Sequence, residues 1–180
     1  MFYDLLIYTC LMKKSIWDST TSIMGIINVT PDSFSGDGFG VNFDSAISQS
    51  LQFVNDGAAI IDVGGESTRP TNLYENVRDI SILEEIERVI PVIEGIRKQS
   101  DICISIDTSK SEVALAAIQA GANMVNDIWG LKKDSELVKV IADNGVDVVI
   151  MHNSVSTIYS DVVVETIKDL KKSIDFAINN

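Results

Sequence analysis

Two polar segments of this chain combine residue types that suit the binding of a phosphate and a divalent cation. The first begins at Asn28, whose side-chain carbonyl is a hard oxygen ligand of the kind that Mg²⁺ prefers. The second, 62–70, contains two glycines that let backbone N–H groups approach a ligand closely. Its further donors are Ser67, Thr68 and Arg69. These hydroxyls and the forked guanidinium favour an oxyanion site in the second segment. For Asn28 taken alone, a turn-forming role is the simpler interpretation.

Three later segments place polar or sulfur-containing side chains at the ends of strand-like runs. Asp107 and Asn126 end two of them, where a carboxylate and an amide could bind a ligand amine. Met151 ends a third and could form the floor of an apolar slot. His152 is the only histidine, and without a second histidine or a metal pattern we expect it to be structural.

The elements that must position these residues alternate between short apolar runs and segments at helical spacing. The runs are 23–28, 59–63, 102–107, 123–126 and 147–151. Nearly continuous apolar runs are typical of parallel strands that are buried on both faces. Capping patterns at Ser81–Glu84 and Ser109–Glu112 predict the starts of two helices, and a Ser109 cap would leave Asp107 free for a ligand.

Five β/α units in succession predict an α/β fold with a parallel sheet. An open doubly wound sheet and a (β/α)8 barrel both fit this alternation, and a complete barrel needs roughly 250 residues. The chain has 180 residues, so a barrel would lack about three units. The apolar run at 1–12 is too short for a membrane span and is interrupted by Asp4, and we expect residues 1–22 to form a strand or hairpin extension.

Composition narrows the classes of partner. The net charge is −12 and no basic cluster stands out, so we expect neither a nucleic acid nor a membrane partner. Two cysteines, Cys10 and Cys103, form no metal or disulfide framework and favour a reduced, cytoplasmic setting. The sequence contains no P-loop, no G-x-S-x-G, no H-E-x-x-H and no Rossmann fingerprint, which disfavours the corresponding enzyme classes.

Four motifs together resemble the dihydropteroate synthase family over about residues 22–153. They are NVTPDSFS at 28–35, DVGGESTRP at 62–70, SIDTSK at 105–110 and NDIWG at 126–130. The resemblance implies a (β/α)8 TIM barrel of which about the first five β/α units are present, in residues 23–180. It also implies the Mg²⁺-dependent condensation of 6-hydroxymethyl-7,8-dihydropterin pyrophosphate with p-aminobenzoate, which releases pyrophosphate in folate biosynthesis.

The resemblance assigns roles to individual positions. Asn28 would bind Mg²⁺, and Thr68, with Ser67 and Arg69 beside it, would bind the phosphate end of the pterin substrate. The remaining substrate-binding positions are Asp107 and Asn126 at the pterin ring, Met151 beneath it, and Phe34 and Pro70 on loops that cover p-aminobenzoate.

The chain also departs from the family pattern. It reads SFSGDG at 33–38 where SFSDGG is common, and the pterin and phosphate ligands of the sixth to eighth units are absent. We therefore expect little or no activity from residues 1–180 alone, and loss of the family homodimer, which late helices form. Two alternatives are a non-catalytic pterin-binding relative and a pterin-dependent methyl-carrier domain, although a methyl carrier has no need of the NVTPDSFS loop.

Overall fold

Five β/α units follow one another in the computed structural model, which describes residues 21–30, 42–66, 80–156 and 158–180. The strands are β1 Met24–Asn28, β2 Ile60–Gly64, β3 Cys103–Asp107, β4 Met124–Asp127 and β5 Asp147–Ile150. The helices are α1 Phe43–Asn55, α2 Ile82–Arg97, α3 Ser111–Ala120, α4 Leu137–Asn144 and α5 Val162–Ile178. Of the extension predicted at 1–22, residues 1–20 lie outside the described residues.

The strands form one parallel sheet in the order β1-β2-β3-β4-β5, as the sequence predicted for a barrel wall. Alternate residues face opposite sides of the sheet. Residues such as Ile61 and Ile104 pack with the helices in the main hydrophobic core. Ile60, Cys103 and Met124 face the other way and form a second cluster, whose partly buried members are Met24, Ala59 and Val149.

The helices of the described units therefore cover only the outer face of the sheet. A doubly wound sheet would need helices on both faces, so the strand order and the two clusters define the wall of a (β/α)8 barrel. No helix among the described residues is long and apolar enough to cross a bilayer.

The two ends of the wall are open in the described chain. Strands β1 and β5 each pair on one side only within the described residues. Apolar side chains are exposed at both ends: Ile26 in β1 is 62% exposed, and Val163 and Ile167 in α5 are 63% and 61% exposed. These are the surfaces that further β/α units cover in a closed barrel.

Of the two helix starts predicted from capping patterns, the one at Ser81 is confirmed and the one at Ser109 is wrong. The Ser81 side chain accepts from the backbone N–H of Glu84, and Gly121 ends α3 with a φ of 115°. The predicted Ser109 cap does not form, because α3 begins at Ser111 and no side chain of its N-cap residue closes the first turn. Asp134, from the following unit, accepts from the Ser111 N–H at 2.7 Å instead.

Candidate functional site

Three of the predicted site residues lie in one lateral row across the carboxyl ends of the strands. The register aligns Asn28 of β1 with Gly64 of β2, Gly64 with Asp107 of β3, and Asp107 with Asn126 of β4. These positions share the inner face with Ile60 and Cys103, which precede Gly64 and Asp107 by an even number of residues. The row therefore lies at the end of the barrel where the active sites of this fold are built.

Gly64 leaves a notch in the middle of this row. A Cβ at Gly64 would stand 3.5 Å from Asn28 Oδ1 and 3.5 Å from Asp107 Oδ2. The amide oxygen and the carboxylate oxygen thus flank the same small space above the glycine. Two hard oxygen atoms on either side of a gap can hold a small cation or a ligand amine between them.

Asp62 lies one inward-facing position below Gly64 and fixes the amide of Asn126. Asn126 Nδ2 donates to Asp62 Oδ2 at 3.0 Å, so Asn126 Oδ1 is left as an acceptor. The Asp62 side chain is 3% exposed, and its Oδ1 is buried without a hydrogen-bond partner among the described residues. Burial raises the pKa of Asp62, and the hydrogen bond from Asn126 opposes this rise.

Asp107 has an unusual charge environment. Burial raises its pKa to about 7, and the nearby carboxylates of Asp62, Glu85, Asp127 and Glu66 contribute to the rise. The Asp107 carboxyl is therefore about half ionised near neutral pH before any ligand binds. A ligand that donates N–H groups to this carboxylate will favour its ionised form.

Asp127 and His152, which neighbour the row in sequence, have structural partners. The buried Asp127 accepts from the backbone N–H groups of Trp129 and Leu131 at 2.9 and 2.6 Å. His152 Nδ1 lies 2.6 Å from Asp169 Oδ2 and its Nε2 lies 3.1 Å from the Tyr159 hydroxyl. Both ring nitrogens of His152 are thus engaged, as expected for a structural histidine.

The other predicted site residues divide into two groups. Met151 follows β5 by one residue and is 43% exposed, on the same side of the strand as Val149 by alternation. Phe34, Ser67, Thr68, Arg69 and Pro70 lie outside the described residues. The roles of all these residues remain predictions.

Sequence reasoning missed Asp62 as a member of the site. Its signal was a carboxylate in the middle of the apolar run 60–63, where a charge is costly to bury. Sequence reasoning also did not predict the notch at Gly64. A Gly-Gly pair predicts that the backbone can approach a ligand closely, but it does not show which side chains face the gap.

The fold and the row define a class: an α/β-barrel protein whose site lies at the carboxyl ends of its first four strands. A family model described as pterin binding enzyme matches residues 24–179 of this chain. The chain therefore belongs to the pterin binding enzyme family.

Curated relatives agree with this assignment. The dihydropteroate synthase of Clostridium beijerinckii is 48% identical over 157 residues, which are 87% of this chain and 56% of that protein. The dihydropteroate synthase of Bacillus subtilis is 45% identical over 158 residues, which are 88% of this chain and 54% of that protein. The chain thus spans just over half the length of these relatives.

Solved structures show the same likeness. A dihydropteroate synthase from Clostridium difficile, determined in the presence of pteroic acid, is 48% identical with a TM-score of 0.80. The match covers 88% of this chain and 59% of that one. The Xanthomonas albilineans dihydropteroate synthase with 4-aminobenzoic acid is 41% identical with a TM-score of 0.79, over 87% of this chain and 55% of that one.

Proposed function

We propose that this chain carries the first five β/α units of a dihydropteroate synthase and binds the pterin substrate through Asp107 and Asn126. The observation that carries the proposal is the row Asn28–Gly64–Asp107–Asn126. These four residues are paired side by side in the strand register, at the carboxyl ends of β1 to β4. The relatives reported above support it, because they are dihydropteroate synthases and one was determined with pteroic acid.

The two pterin-contact candidates offer acceptors to a ring that carries amine and amide N–H groups. Asp107 supplies a carboxylate, and Asn126 supplies Oδ1 because its Nδ2 donates to Asp62. Two acceptors on adjacent strands suit a planar ring with N–H donors along one edge. Met151, one strand further along, would lie against the face of that ring.

The residues present also fit a Mg²⁺ ion. Asn28 Oδ1 faces the notch above Gly64, and Mg²⁺ is commonly bound by one or two protein oxygens, with waters and substrate phosphates completing its octahedron. Among the described residues, no cluster of three or more His, Cys, Asp or Glu side chains could hold a metal ion. When bound, the ion would supply positive charge that stabilises the departing pyrophosphate.

The chain's own residues would bind and orient the two substrates rather than act as a strong base. The electron-rich pterin can stabilise the cationic CH₂ that remains after pyrophosphate leaves. The amine of p-aminobenzoate then attacks that carbon, and the new C–N bond forms with loss of one amine proton to solvent. Ser67, Thr68 and Arg69 would neutralise the leaving group, and the loops that carry Phe34 and Pro70 would exclude water.

A cytoplasmic setting belongs to the same proposal. The thiol of Cys103 is free and buried, and burial raises its pKa to about 11. A thiol of this kind is inert and is consistent with a reducing compartment.

The proposal separates binding from turnover. The described site contains ligand candidates from β1 to β5, whereas this chain matches only 56% and 54% of the two curated relatives, so residues 1–180 are expected to bind pterin and to turn over poorly. A pterin-dependent methyl carrier is disfavoured, because the relatives reported above are synthases.

A titration of residues 1–180 with 6-hydroxymethyl-7,8-dihydropterin tests the proposal. The Asp107→Asn variant removes the carboxylate without changing its shape, and Asp143→Asn makes the same change at an exposed position of α4. We expect Asp107→Asn to weaken binding roughly ten- to hundredfold, as for one lost charge-assisted hydrogen bond. Asp143→Asn should leave the affinity unchanged.

Failure of the folded wild-type chain to bind the pterin would contradict the proposal. An equal affinity in wild type and Asp107→Asn would contradict the assignment of Asp107 to the ring. Far-ultraviolet circular dichroism of each variant shows that a lost affinity does not reflect a lost fold.

A further inference from the structure

The carboxylate of Asp62 lies beneath the row of site residues and has almost no exposed surface. Asp62 precedes Gly64 by two residues in β2, so both face the inner side of the barrel wall. Asp62 is 3% exposed, and its Oδ1 is buried. A pterin bound at the row therefore cannot touch this carboxylate, and any effect of Asp62 on the ligand must pass through a neighbouring residue.

Asn126 is that neighbour. Its Nδ2 donates to Asp62 Oδ2 at 3.0 Å, from β4 across the intervening strand β3. An ionised carboxylate has acceptors and no donor, so the Asn126 amide must turn its nitrogen toward Asp62 and its Oδ1 away from it. In the described part of the chain this is the hydrogen bond that fixes the orientation of the Asn126 amide.

The contact with Asn126 is the one good hydrogen bond of a carboxylate that is otherwise poorly satisfied. Asp62 Oδ1 and the hydroxyl of Ser105, its partner in the strand register, are both buried without a hydrogen-bond partner among the described residues. The Ser105 hydroxyl is close enough to oppose the raised pKa of Asp62, but it does not reach hydrogen-bond geometry. A buried acceptor without a donor destabilises the fold. Asp62 therefore contributes less to stability than a fully paired carboxylate would, and its main partner is a site residue.

We propose that Asp62 is a positioning residue that turns the Asn126 amide so that Oδ1 faces the bound pterin ring. In this orientation Asn126 and Asp107, on adjacent strands, both offer acceptors to the N–H groups along one edge of the ring. In the opposite orientation the amide N–H groups of Asn126 would face the N–H groups of the ring. This inference rests on the proposed function, because Asn126 contacts the ring only if the pterin binds at the row.

Two substitutions at position 62 separate the acceptor from the charge. Asp62→Leu and Asp62→Asn nearly keep the shape of the side chain, and both remove its negative charge. Only Asp62→Leu removes the acceptor, because in Asp62→Asn the side-chain oxygen still accepts from Asn126 while the new amide nitrogen faces the Ser105 hydroxyl. The charge of Asp62 raises the pKa of Asp107, so its loss lowers that pKa in both variants alike.

Titration calorimetry of residues 1–180 with 6-hydroxymethyl-7,8-dihydropterin at pH 8 measures the affinity of each variant. We expect Asp62→Leu to bind roughly tenfold more weakly than wild type, and Asp62→Asn to stay within about threefold of wild type. The weaker binding of Asp62→Leu cannot come from Asp107, because a lower pKa there increases the ionised fraction and strengthens binding.

Removal of the Asn126 amide shows whether the effect passes through it. In an Asn126→Ala background the ligand no longer meets the amide, so Asp62→Leu and Asp62→Asn should bind the pterin equally. A residue that acts only through the fold would keep the difference in both backgrounds. Ser105→Ala is the matched control, because it changes a buried side chain beside Asp62 that makes no hydrogen bond to Asn126. It should leave the affinity unchanged.

The outcomes distinguish this inference from the proposed function. Failure of the folded wild-type chain to bind the pterin would overturn both. Binding by wild type together with equal affinities in Asp62→Leu and Asp62→Asn would overturn the inference alone. A difference that persists in the Asn126→Ala background would also overturn it alone.

Circular dichroism shows whether each variant folds. If Asp62→Leu does not fold, Asp62→Ala removes the acceptor without adding volume, and the same tenfold loss is expected of it. If neither folds, nuclear magnetic resonance of the wild type decides. Side-chain amide protons of Asn126 that stay protected from exchange when the pterin binds support the inference, and contact between these protons and the bound ring overturns it.

Discussion

Replacement of Asp107 by asparagine should make the chain more stable while it weakens pterin binding. In the folded chain the pKa of Asp107 is about 7, against an ordinary value of 3.8, because of burial and four nearby carboxylates. The folded pKa lies above the unfolded one, so between pH 4 and 7 the folded chain keeps a proton that the unfolded chain releases. Raising the pH through this window therefore destabilises the wild type.

The size of the effect follows from the two pKa values. The folded and unfolded pKa values of Asp107 differ by about three, and each pKa unit corresponds to about 1.4 kcal/mol. Ionisation of Asp107 therefore lowers the free energy of unfolding by at most about 4 kcal/mol above pH 7. The site is partly open and an amide still has to be buried, so we expect Asp107→Asn to gain about 1–3 kcal/mol at pH 8. At pH 4 the wild-type carboxyl is protonated when folded, and the gain should vanish.

Urea unfolding of both proteins at pH 4, 6 and 8 measures this difference directly. Burial also raises the pKa values of Asp62 and Asp127, so these groups add to the pH dependence of the free energy of unfolding. Both groups are present in wild type and in Asp107→Asn, so their contributions largely cancel in the stability difference. A stability difference that is constant across the three pH values would refute the assignment of a raised pKa to Asp107. The exposed change Asp143→Asn should show no such pH-dependent gain.

Three further predictions concern other properties of the site and the wall. Protonation removes an acceptor oxygen from the Asp107 carboxylate, so the wild-type affinity for 6-hydroxymethyl-7,8-dihydropterin should be about tenfold lower at pH 6 than at pH 8. The affinity of Asp107→Asn should be nearly the same at both pH values, and titration calorimetry measures both. Gly64→Ala should lower the affinity for the pyrophosphate ester with Mg²⁺ roughly tenfold, yet change the free energy of unfolding by less than about 1 kcal/mol. Arg97 donates to Ser100 O, Ile102 O, Gly121 O and Asn123 Oδ1 at the opposite end of the strands. Arg97→Met should therefore lower the free energy of unfolding by about 2–4 kcal/mol in urea titrations and leave pterin affinity unchanged.

The sequence predicted the elements better than their relative placement. Apolar runs bounded by polar turns located all five strands, because a strand buried on both faces must be nearly continuous in apolar residues. Alternation alone did not distinguish a barrel from a doubly wound sheet. That distinction depends on the strand order, which became predictable only through the family motifs.

The parts that escaped prediction are long-range contacts. Ser109 matched a local capping pattern, but Asp134, from the following unit, binds the first N–H of α3. Lys110 meets Glu66 and Glu85 across 44 and 25 residues of sequence, and no local spacing encodes such a meeting. The strand register that places Asn28, Asp107 and Asn126 in one row is likewise set by packing between units. The alternation of apolar and polar residues within a single strand does not determine it.

The most direct test of the central claim is catalysis by a completed barrel. A chimera would join residues 23–180 to the part of the Clostridium beijerinckii dihydropteroate synthase that lies beyond its match to this chain. Dihydropteroate formation from the pterin pyrophosphate, p-aminobenzoate and Mg²⁺ is then measured beside residues 1–180 alone. We expect turnover by the chimera, loss of most of it with Asp107→Asn, and little from residues 1–180. A folded chimera without turnover, or turnover that is indifferent to Asp107→Asn, would contradict the claim that these five units form half of a synthase site.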